Sequence, residues 1–419
     1  MRKLLWIAVL AALFLPLLPE PPLHSGPYLQ EMSATAVTVA KIDAAPRARG
    51  VRVTSEDGGF RHEIQAKEAR RRHALRVEGL RPGTRYRYEL LDAQGRAGET
   101  GEFRTFATSD AAKVRFGVLG DSGGLPWWVW VARMPLFWPV ARFDLLPVDA
   151  EPGAIGARLA REELDLLVHV GDVIYPHGEN RHYRTGWFRP FGATLRRTPC
   201  VAVLGNHDLG NREGLDDSHP FLANFVQPRN ALTRDERMWS FAHGPVRFVG
   251  VDWNRGPIGP DHPALLYLES ELARAEEPWV LVFAHYPILS ASRQGDRGDL
   301  KQHVLPRLRA LGVDLLFVGH DHVYQRFGDP GELVQVGTGG GGKSVYEIRG
   351  HPEVRVTAPL FHYCVVEVDG PALTLRAITK DGWQLDQLVV DKARLAAEGR
   401  LKLDPARARD RRIQALLQR

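Results

Sequence analysis

A chain of 419 residues, 44% hydrophobic and 25% charged, has enough length for two domains and is too apolar for disorder. A formal net charge of +5, with no basic stripe interleaved with aromatics, argues against nucleic acid as a partner and leaves small anionic substrates open. The two cysteines, Cys200 and Cys364, sit in the apolar runs PCVAVL and YCVVEV, which points to small buried residues rather than a disulfide and excludes a thiolate metal site.

At the N-terminus Arg2 and Lys3 precede an uncharged apolar stretch from Leu4 to Leu18, the shape of a secretory signal and short of the roughly 20 residues that a spanning helix needs. No A-x-A follows it. Residues 1–25 are therefore expected to be a signal peptide or an uncleaved N-terminal anchor, and the protein to be exported, to a periplasm or the extracellular side. From 26 to 108 the texture is all-β. Ala36–Ala40, Gly50–Thr54, Leu75–Val77 and Arg85–Leu90 are short alternating runs separated by turn residues, which predicts a small β-sandwich. The segments GPYLQ, PGTRYRYEL and GEFRTF within it resemble a fibronectin type III domain. Ala107 to Ala112 reads as a linker.

The second domain is expected over 113–390. Helical patterns at Pro152–Glu163, Pro263–Ala275 and Lys301–Leu311 alternate with apolar runs, and Leu333–Val336, Tyr363–Val368, Leu373–Thr379 and Gln387–Val390 add further strands. The predicted class is α/β, a two-sheet sandwich flanked by helices. Five apolar runs stop abruptly in polar residues. KVRFGVLGDSG ends in Asp121, LLVHVGDVIY in Asp172 and Tyr175, VAVLGNHD in Asn206, His207 and Asp208, VLVFAHYP in His285, and VDLLFVGHDH in His320, Asp321 and His322. Carboxyl ends of strands in an α/β sheet line one crevice, so these endings predict one site.

Carboxylates with imidazoles and one amide suit zinc, manganese or iron. With Asp172 bridging, Asp121, Tyr175 and His322 complete one ion's shell and Asn206, His285 and His320 the other's. Such a pair, about 3.5–4 Å apart, clamps a phosphoryl group and generates a hydroxide nucleophile. His169, alone in an apolar run, is left in the core.

In order and spacing, these motifs resemble the purple acid phosphatases of the calcineurin-like metallophosphoesterase superfamily, across the whole second domain; a fibronectin-like domain ahead of it also resembles plant and bacterial members. The resemblance implies Fe(III) on Asp121, Asp172, Tyr175 and His322, and a divalent ion (Fe, Zn or Mn) on Asp172, Asn206, His285 and His320. It implies hydrolysis of a small phosphorylated substrate, a phosphomonoester. One departure stands out. Members usually carry a histidine nine residues after the ligand that matches His285, where this chain has Gln294, which donates no proton in a useful pH range. The catalytic acid is therefore assigned to His207, with Arg293 and Gln294 as substrate contacts. Asp208 and Asp321 are expected to accept hydrogen bonds from the neighbouring histidines.

Three stretches remain. GTGGGGKS, at 337–344, matches a phosphate-binding loop letter for letter, but VYEIRGHPEV comes after it where that motif needs a helix, so a glycine-rich turn against the metal site is expected. Leu125 to Phe143 carries Trp127, Trp128, Trp130 and Trp138; it reads either as an insertion packed on the domain surface, as an aromatic wall over the site, or as a peripheral membrane contact beside the N-terminal segment. The basic tail 391–419 reads as a solvated helix. Two rival functions are a phosphodiesterase of the same superfamily, acting on nucleotides or lipid headgroups, and a non-catalytic surface binding protein with a relict metal site.

Overall fold

The computed structural model describes residues 22–109, 112–123, 150–210, 218–230, 232, 234–401, 403 and 407–418. Nearly all of the N-terminal signal or anchor segment, and the whole tryptophan-rich stretch, lie outside the described residues. Among those described, no helix is long and apolar enough to cross a membrane.

The alternating runs at the start become seven strands: β1 (Tyr28–Gln30), β2 (Ala36–Arg47), β3 (Gly50–Ser55), β4 (Arg61–Gln65), β5 (Arg70–Glu78), β6 (Arg85–Leu91) and β7 (Ala97–Arg104). They form two antiparallel sheets, ordered β1-β2-β5 and β4-β3-β6-β7. Alternation decides which side chains face inward: along β6, Tyr86, Tyr88 and Leu90 are buried while Arg85 and Arg87 are exposed. Leu29, Val37, Val51, Val53 and Val77 fill the space between the sheets. The Tyr86 hydroxyl accepts the Arg81 backbone N–H at 2.8 Å and closes the corner into β6.

Hydrogen bonds fasten this sandwich to residues near and beyond 200. Tyr88 donates to the Arg196 carbonyl at 2.7 Å, and Gln30 donates to the Cys200 carbonyl at 3.0 Å and accepts from the Val226 N–H.

The rest of the chain contributes β8 (Val114–Leu119), β9 (Leu166–His169), β10 (Cys200–Ala202), β11 (Trp239–His243), β12 (Val246–Gly250), β13 (Trp279–Phe283) and β14 (Leu315–Val318). It ends with β15 (Tyr324–Phe327), β16 (Val334–Thr338), β17 (Val354–Ala358), β18 (His362–Asp369), β19 (Ala372–Thr379) and β20 (Gln384–Asp391). One sheet has the order β10-β9-β8-β18-β19-β20 and the other β11-β12-β13-β14-β16-β15-β17. The pairs β8–β9 and β9–β10, and the run β12–β13–β14–β16, are parallel, which is why those segments read as continuous apolar runs. Phe116 from the first sheet meets Phe248 of the second edge-on at 5.0 Å, and Phe283 stacks on Phe317 at 5.3 Å. Each of these rings is wholly buried, a contribution of about 1.5–3 kcal/mol apiece. Helices at Ala150–Leu159, Arg189–Leu195, Pro263–Arg274 and Leu305–Ala310 flank the sheets. Cys200 and Cys364 are free and buried.

The tail corrects the sequence expectation. Its helices Lys392–Ala397 and Ala408–Leu417 are packed rather than solvated, with Leu395, Ile413 and Leu416 buried. Lys392 is buried too. Its ammonium lies 4.1 Å from the Trp279 ring centroid, bonds the Pro278 carbonyl at 2.5 Å and pairs with Asp314 at 2.9 Å; Arg409 takes the other Asp314 oxygen at 2.7 Å. The tail thus clamps the starts of β13 and β14, the two strands whose far ends carry His285, His320 and His322. Arginine spacing hid the apolar triplet that makes this docking possible.

Candidate metal centre

The parallel strands β8, β9, β13 and β14 all run toward one end of the sandwich, and the chain leaves each of them through a tight turn. Asp121, Asp172 and His320 adopt left-handed backbone conformations, with φ of 58°, 54° and 65°. Non-glycine residues hold such angles only where the surroundings enforce them, and the cost concentrates at functional sites. Glycines make the approach possible. A Cβ on Gly205 would lie 2.1 Å from the Asp172 carboxylate, and one on Gly319 would lie 2.6 Å from that of Asp121.

All seven residues expected to hold metal converge, in two groups that share Asp172. The Tyr175 hydroxyl lies 2.9 Å from Asp121 Oδ1, 3.0 Å from Asp172 Oδ2 and 3.1 Å from His322 Nε2. Asn206 Oδ1 lies 3.0 Å from both His285 Nε2 and His320 Nδ1, and His285 Nε2 is 3.5 Å from Asp172 Oδ1. One carboxylate oxygen of Asp172 therefore faces each group. Ligand atoms of Asp121, Asp172 and His285, all buried, lie within 4.8 Å of one another.

Electrostatics show that this donor set fits a cation. Burial opposes a charge on Asp172, yet His285 and His207 outweigh it and hold the carboxyl well below its usual range. Burial likewise works against protonating His285, but Asp172 and Asp121 push it up to about 10. Burial together with the two aspartates raises the Tyr175 phenol well above its usual value, and burial and the charge of His285 lower His320 to about 3. His285 Nδ1 sits 2.9 Å from the Val170 carbonyl, so it carries a proton and aims Nε2 at the centre; His322 Nδ1 is held at 2.7 Å by Ser344 Oγ. Both raised groups, His285 and Tyr175, thus keep their protons beside the aspartates, and a bound cation would reverse this by taking a lone pair from the imidazole and from the phenolate.

Around the centre, His207 directs Nδ1 at the Pro176 carbonyl (2.7 Å), donates its backbone N–H to Asp172 Oδ1 (2.8 Å) and packs its ring 4.5 Å from that of Tyr175. Its Nε2 is the nitrogen left for other contacts. Asp208 and Asp321 do not bond histidine rings as expected. The buried Asp208 carboxylate accepts the backbone N–H groups of Val173 and Gly205, which ties the β9 turn to the β10 turn, and burial with the charge of Asp172 pushes it up to about 8. Asp321 accepts from Ser290 at 2.5 Å and Gln325 at 2.8 Å. Backbone amides take the place of the rings at Asp208, and a hydroxyl and a side-chain amide do so at Asp321. Gln294 is exposed, and its backbone N–H donates to Ser292 Oγ. Arg293 is exposed and lies over the Tyr346 ring rather than against the seven donors. His169 is buried, with Nε2 2.9 Å from Ser122 Oγ.

The glycine-rich turn lies against the site, and no helix succeeds it. Gly339 abuts Asp121 and Asp321, and the Lys343 N–H donates to the Asp121 carbonyl at 2.9 Å. The glycine-rich run points Lys343 and Ser344 toward the centre from sequence alone, whereas Tyr346, two residues past its end, gives no such signal. Tyr286, next to His285, packs on His320 at 4.3 Å.

A fold of two sheets with its polar turns gathered at one end, around buried aspartates and histidines, defines a metal-dependent phosphoesterase. The family model for calcineurin-like phosphoesterases matches residues 114–324, half of the chain, and the chain belongs to that family. It is similar to purple acid phosphatase 17 of Arabidopsis thaliana, 26% identical over 268 residues that cover 59% of this chain and 74% of the relative. It is also similar to rat (Rattus norvegicus) tartrate-resistant acid phosphatase type 5, 26% identical over 281 residues, 61% of this chain and 81% of the relative. Among solved structures, a purple acid phosphatase from yellow lupin (Lupinus luteus) seeds superposes with a TM-score of 0.69 at 17% identity, covering 89% of this chain and 75% of that one, a likeness of fold.

Proposed function

We propose that the chain is a dinuclear-metal phosphatase that hydrolyses phosphomonoesters. The observation carrying this reading is the sharing of Asp172, whose two oxygens face two separate donor groups. Asp121, Asp172, Tyr175 and His322 would hold a ferric ion, favoured by the phenol, and Asp172, Asn206, His285 and His320 a divalent one (Fe, Zn or Mn). When bound, the pair supplies Lewis acidity toward phosphoryl oxygens and acidifies water. The protein's part is positioning: the Val170 carbonyl and Ser344 fix two imidazoles, and Asp208 binds two turns together. His207, its Nδ1 fixed on the Pro176 carbonyl, would act as the acid from its imidazolium form, delivering the Nε2 proton to the leaving oxygen.

The reading extends to the whole chain. Residues 1–25 serve export as signal or anchor, 26–108 form a fibronectin type III-like domain and 113–390 the phosphoesterase domain; the strand order of the sandwich and its tyrosine corner support the second of these. The partner is a small phosphorylated molecule, and nucleic acid is not one. Rates on phenyl phosphate and on its diester counterpart test the function: faster turnover of the diester would replace this reading with a phosphodiesterase, and turnover of neither, with metals loaded, would replace it with a binding protein.

A further inference from the structure

One end of the N-terminal sandwich is a basic edge, far in sequence from the metal centre. Arg47, the last residue of β2, stands directly opposite Arg70, the first of β5. Lys67 sits in the short connection between β4 and β5, where the Ala66 N–H donates to the Arg49 carbonyl at 2.9 Å. Arg71 follows Arg70 and donates to the Leu23 carbonyl at 3.1 Å and the Asp43 carbonyl at 3.3 Å. Arg47, Lys67, Arg70 and Arg71 are all exposed. The carboxylates beside them are already engaged: Asp43 takes the Arg49 guanidinium at 2.9 and 2.6 Å, and Glu68 takes Arg70 through Nε at 2.9 Å. Among the described residues, Arg47, Lys67 and Arg71 have no carboxylate within ion-pair distance.

The chain that leaves this edge gives it a direction. Leu23 comes five residues after Leu18, the last residue of the apolar stretch Leu4 to Leu18, and five residues span at most about 18 Å. Because Arg71 holds the Leu23 carbonyl, a bilayer that takes up the apolar stretch stands no further from the edge than about two Debye lengths, and any bend in the connection closes that gap. Anionic headgroups supply the negative charge that the three unanswered cations lack. Arg72, the next residue along β5, points to the opposite face and donates to the Ala223 carbonyl at 2.8 Å and to Asn180 at 3.1 Å, so the edge is fixed to the phosphoesterase domain as well as to the N-terminus. Arg85 and Arg104 offer a contrast. They are also exposed and opposite each other, but they lie at the other end of the strands, where β3 pairs Ser55 with Tyr86 rather than Gly50 with Leu91.

We propose that Arg47, Lys67, Arg70 and Arg71 form a docking edge for an anionic membrane surface, which seats the sandwich on lipid headgroups. This rests on the reading of residues 1–25 as a signal or anchor and is independent of the phosphatase chemistry.

The test is co-sedimentation of the full chain with phosphatidylcholine vesicles and with the same vesicles in which one lipid in three is phosphatidylglycerol. A basic side chain at an anionic surface strengthens binding about fivefold, so Arg47→Gln combined with Lys67→Gln should weaken binding to the anionic vesicles about tenfold to thirtyfold, and added salt should erase the difference. Arg85→Gln combined with Arg104→Gln should lose less than about threefold. All four side chains are exposed, so both variants should fold. Neutral vesicles report the apolar stretch alone, and neither variant should change binding to them. A full chain that ignores neutral vesicles yet prefers anionic ones removes the anchor and keeps the edge. No preference for anionic vesicles in the wild type, or equal losses in the two variants, overturns the edge. Retention on heparin that depends on Arg47 and Lys67, without any vesicle preference, also overturns it and makes the partner a soluble polyanion.

Discussion

Replacing His207 by alanine isolates proton donation from the rest of the machinery. The backbone N–H of residue 207 holds Asp172 Oδ1 at 2.8 Å and survives the change, so the shared carboxylate keeps its orientation. What disappears is the imidazole, its contact with the Pro176 carbonyl and its packing against Tyr175. The ring is only half-buried, so the stability cost is that of one hydrogen bond, about 0.5–1.5 kcal/mol, and the variant should fold. The catalytic cost depends on the leaving group. An alkoxide must be protonated as it departs, and loss of a general acid there costs about 10²–10⁴ in rate, or roughly 3–5 kcal/mol of barrier. A 4-nitrophenolate leaves without help, and its turnover should fall by less than about tenfold. The assay is single-substrate kinetics over a series of phosphomonoesters of graded leaving-group basicity. The slope of log kcat against leaving-group pKa should steepen in the variant. Parallel loss across the whole series would refute the assignment and make His207 a structural neighbour of Asp172.

Three further outcomes rest on the same geometry. Tyr175→Phe, which removes the hydroxyl that touches Asp121, Asp172 and His322, should abolish visible absorption of the iron-loaded protein; retained colour would exclude a phenolate on the ferric ion. Gly339→Ala drives a Cβ to 2.3 Å from the Asp321 carbonyl and 2.8 Å from the Asp121 carboxylate, so metal content should fall along with a stability loss of about 1–3 kcal/mol, checked by elemental analysis and denaturant midpoint. Burial, only partly offset by Asp314, holds the Lys392 ammonium down to about 8 from an ordinary 10.5. Between those values the unfolded chain binds the extra proton, so this group makes the folded protein more stable as pH rises from about 8 to about 10.5, by about 3 kcal/mol in all. Lys392→Met should lack that rise, and parallel stability curves for the two proteins over this window would contradict it.

The donors of the centre were legible because each ends an apolar run, and a parallel strand buried on both faces leaves few alternatives for the polar residue that comes after it. Asp172 and Tyr175 are the clearest instance, three residues apart on one turn. The sandwich was legible from alternation in β6, whereas β1, β4 and β7 are short or weakly alternating. Around the centre, legibility failed. Sequence cannot tell whether Asp208 meets an imidazole or a backbone amide, since both are near in sequence and only the folded turn chooses between them. Tyr346 and Arg293 belong to different loops, and their stack on His322 depends on how the β16 turn crosses the site. The tail was misjudged because Leu395, Ile413 and Leu416 are spread over two helices amid arginines, and the Asp314 that anchors them sits far away in sequence.

Metal stoichiometry tests the central claim most directly. Purified protein, saturated with iron and zinc and then freed of excess by gel filtration, should retain two ions per chain, and Asp172→Ala, which removes the donor common to both groups, should lose both together. One ion per chain, or two that persist without Asp172, would contradict a centre built around that shared carboxylate.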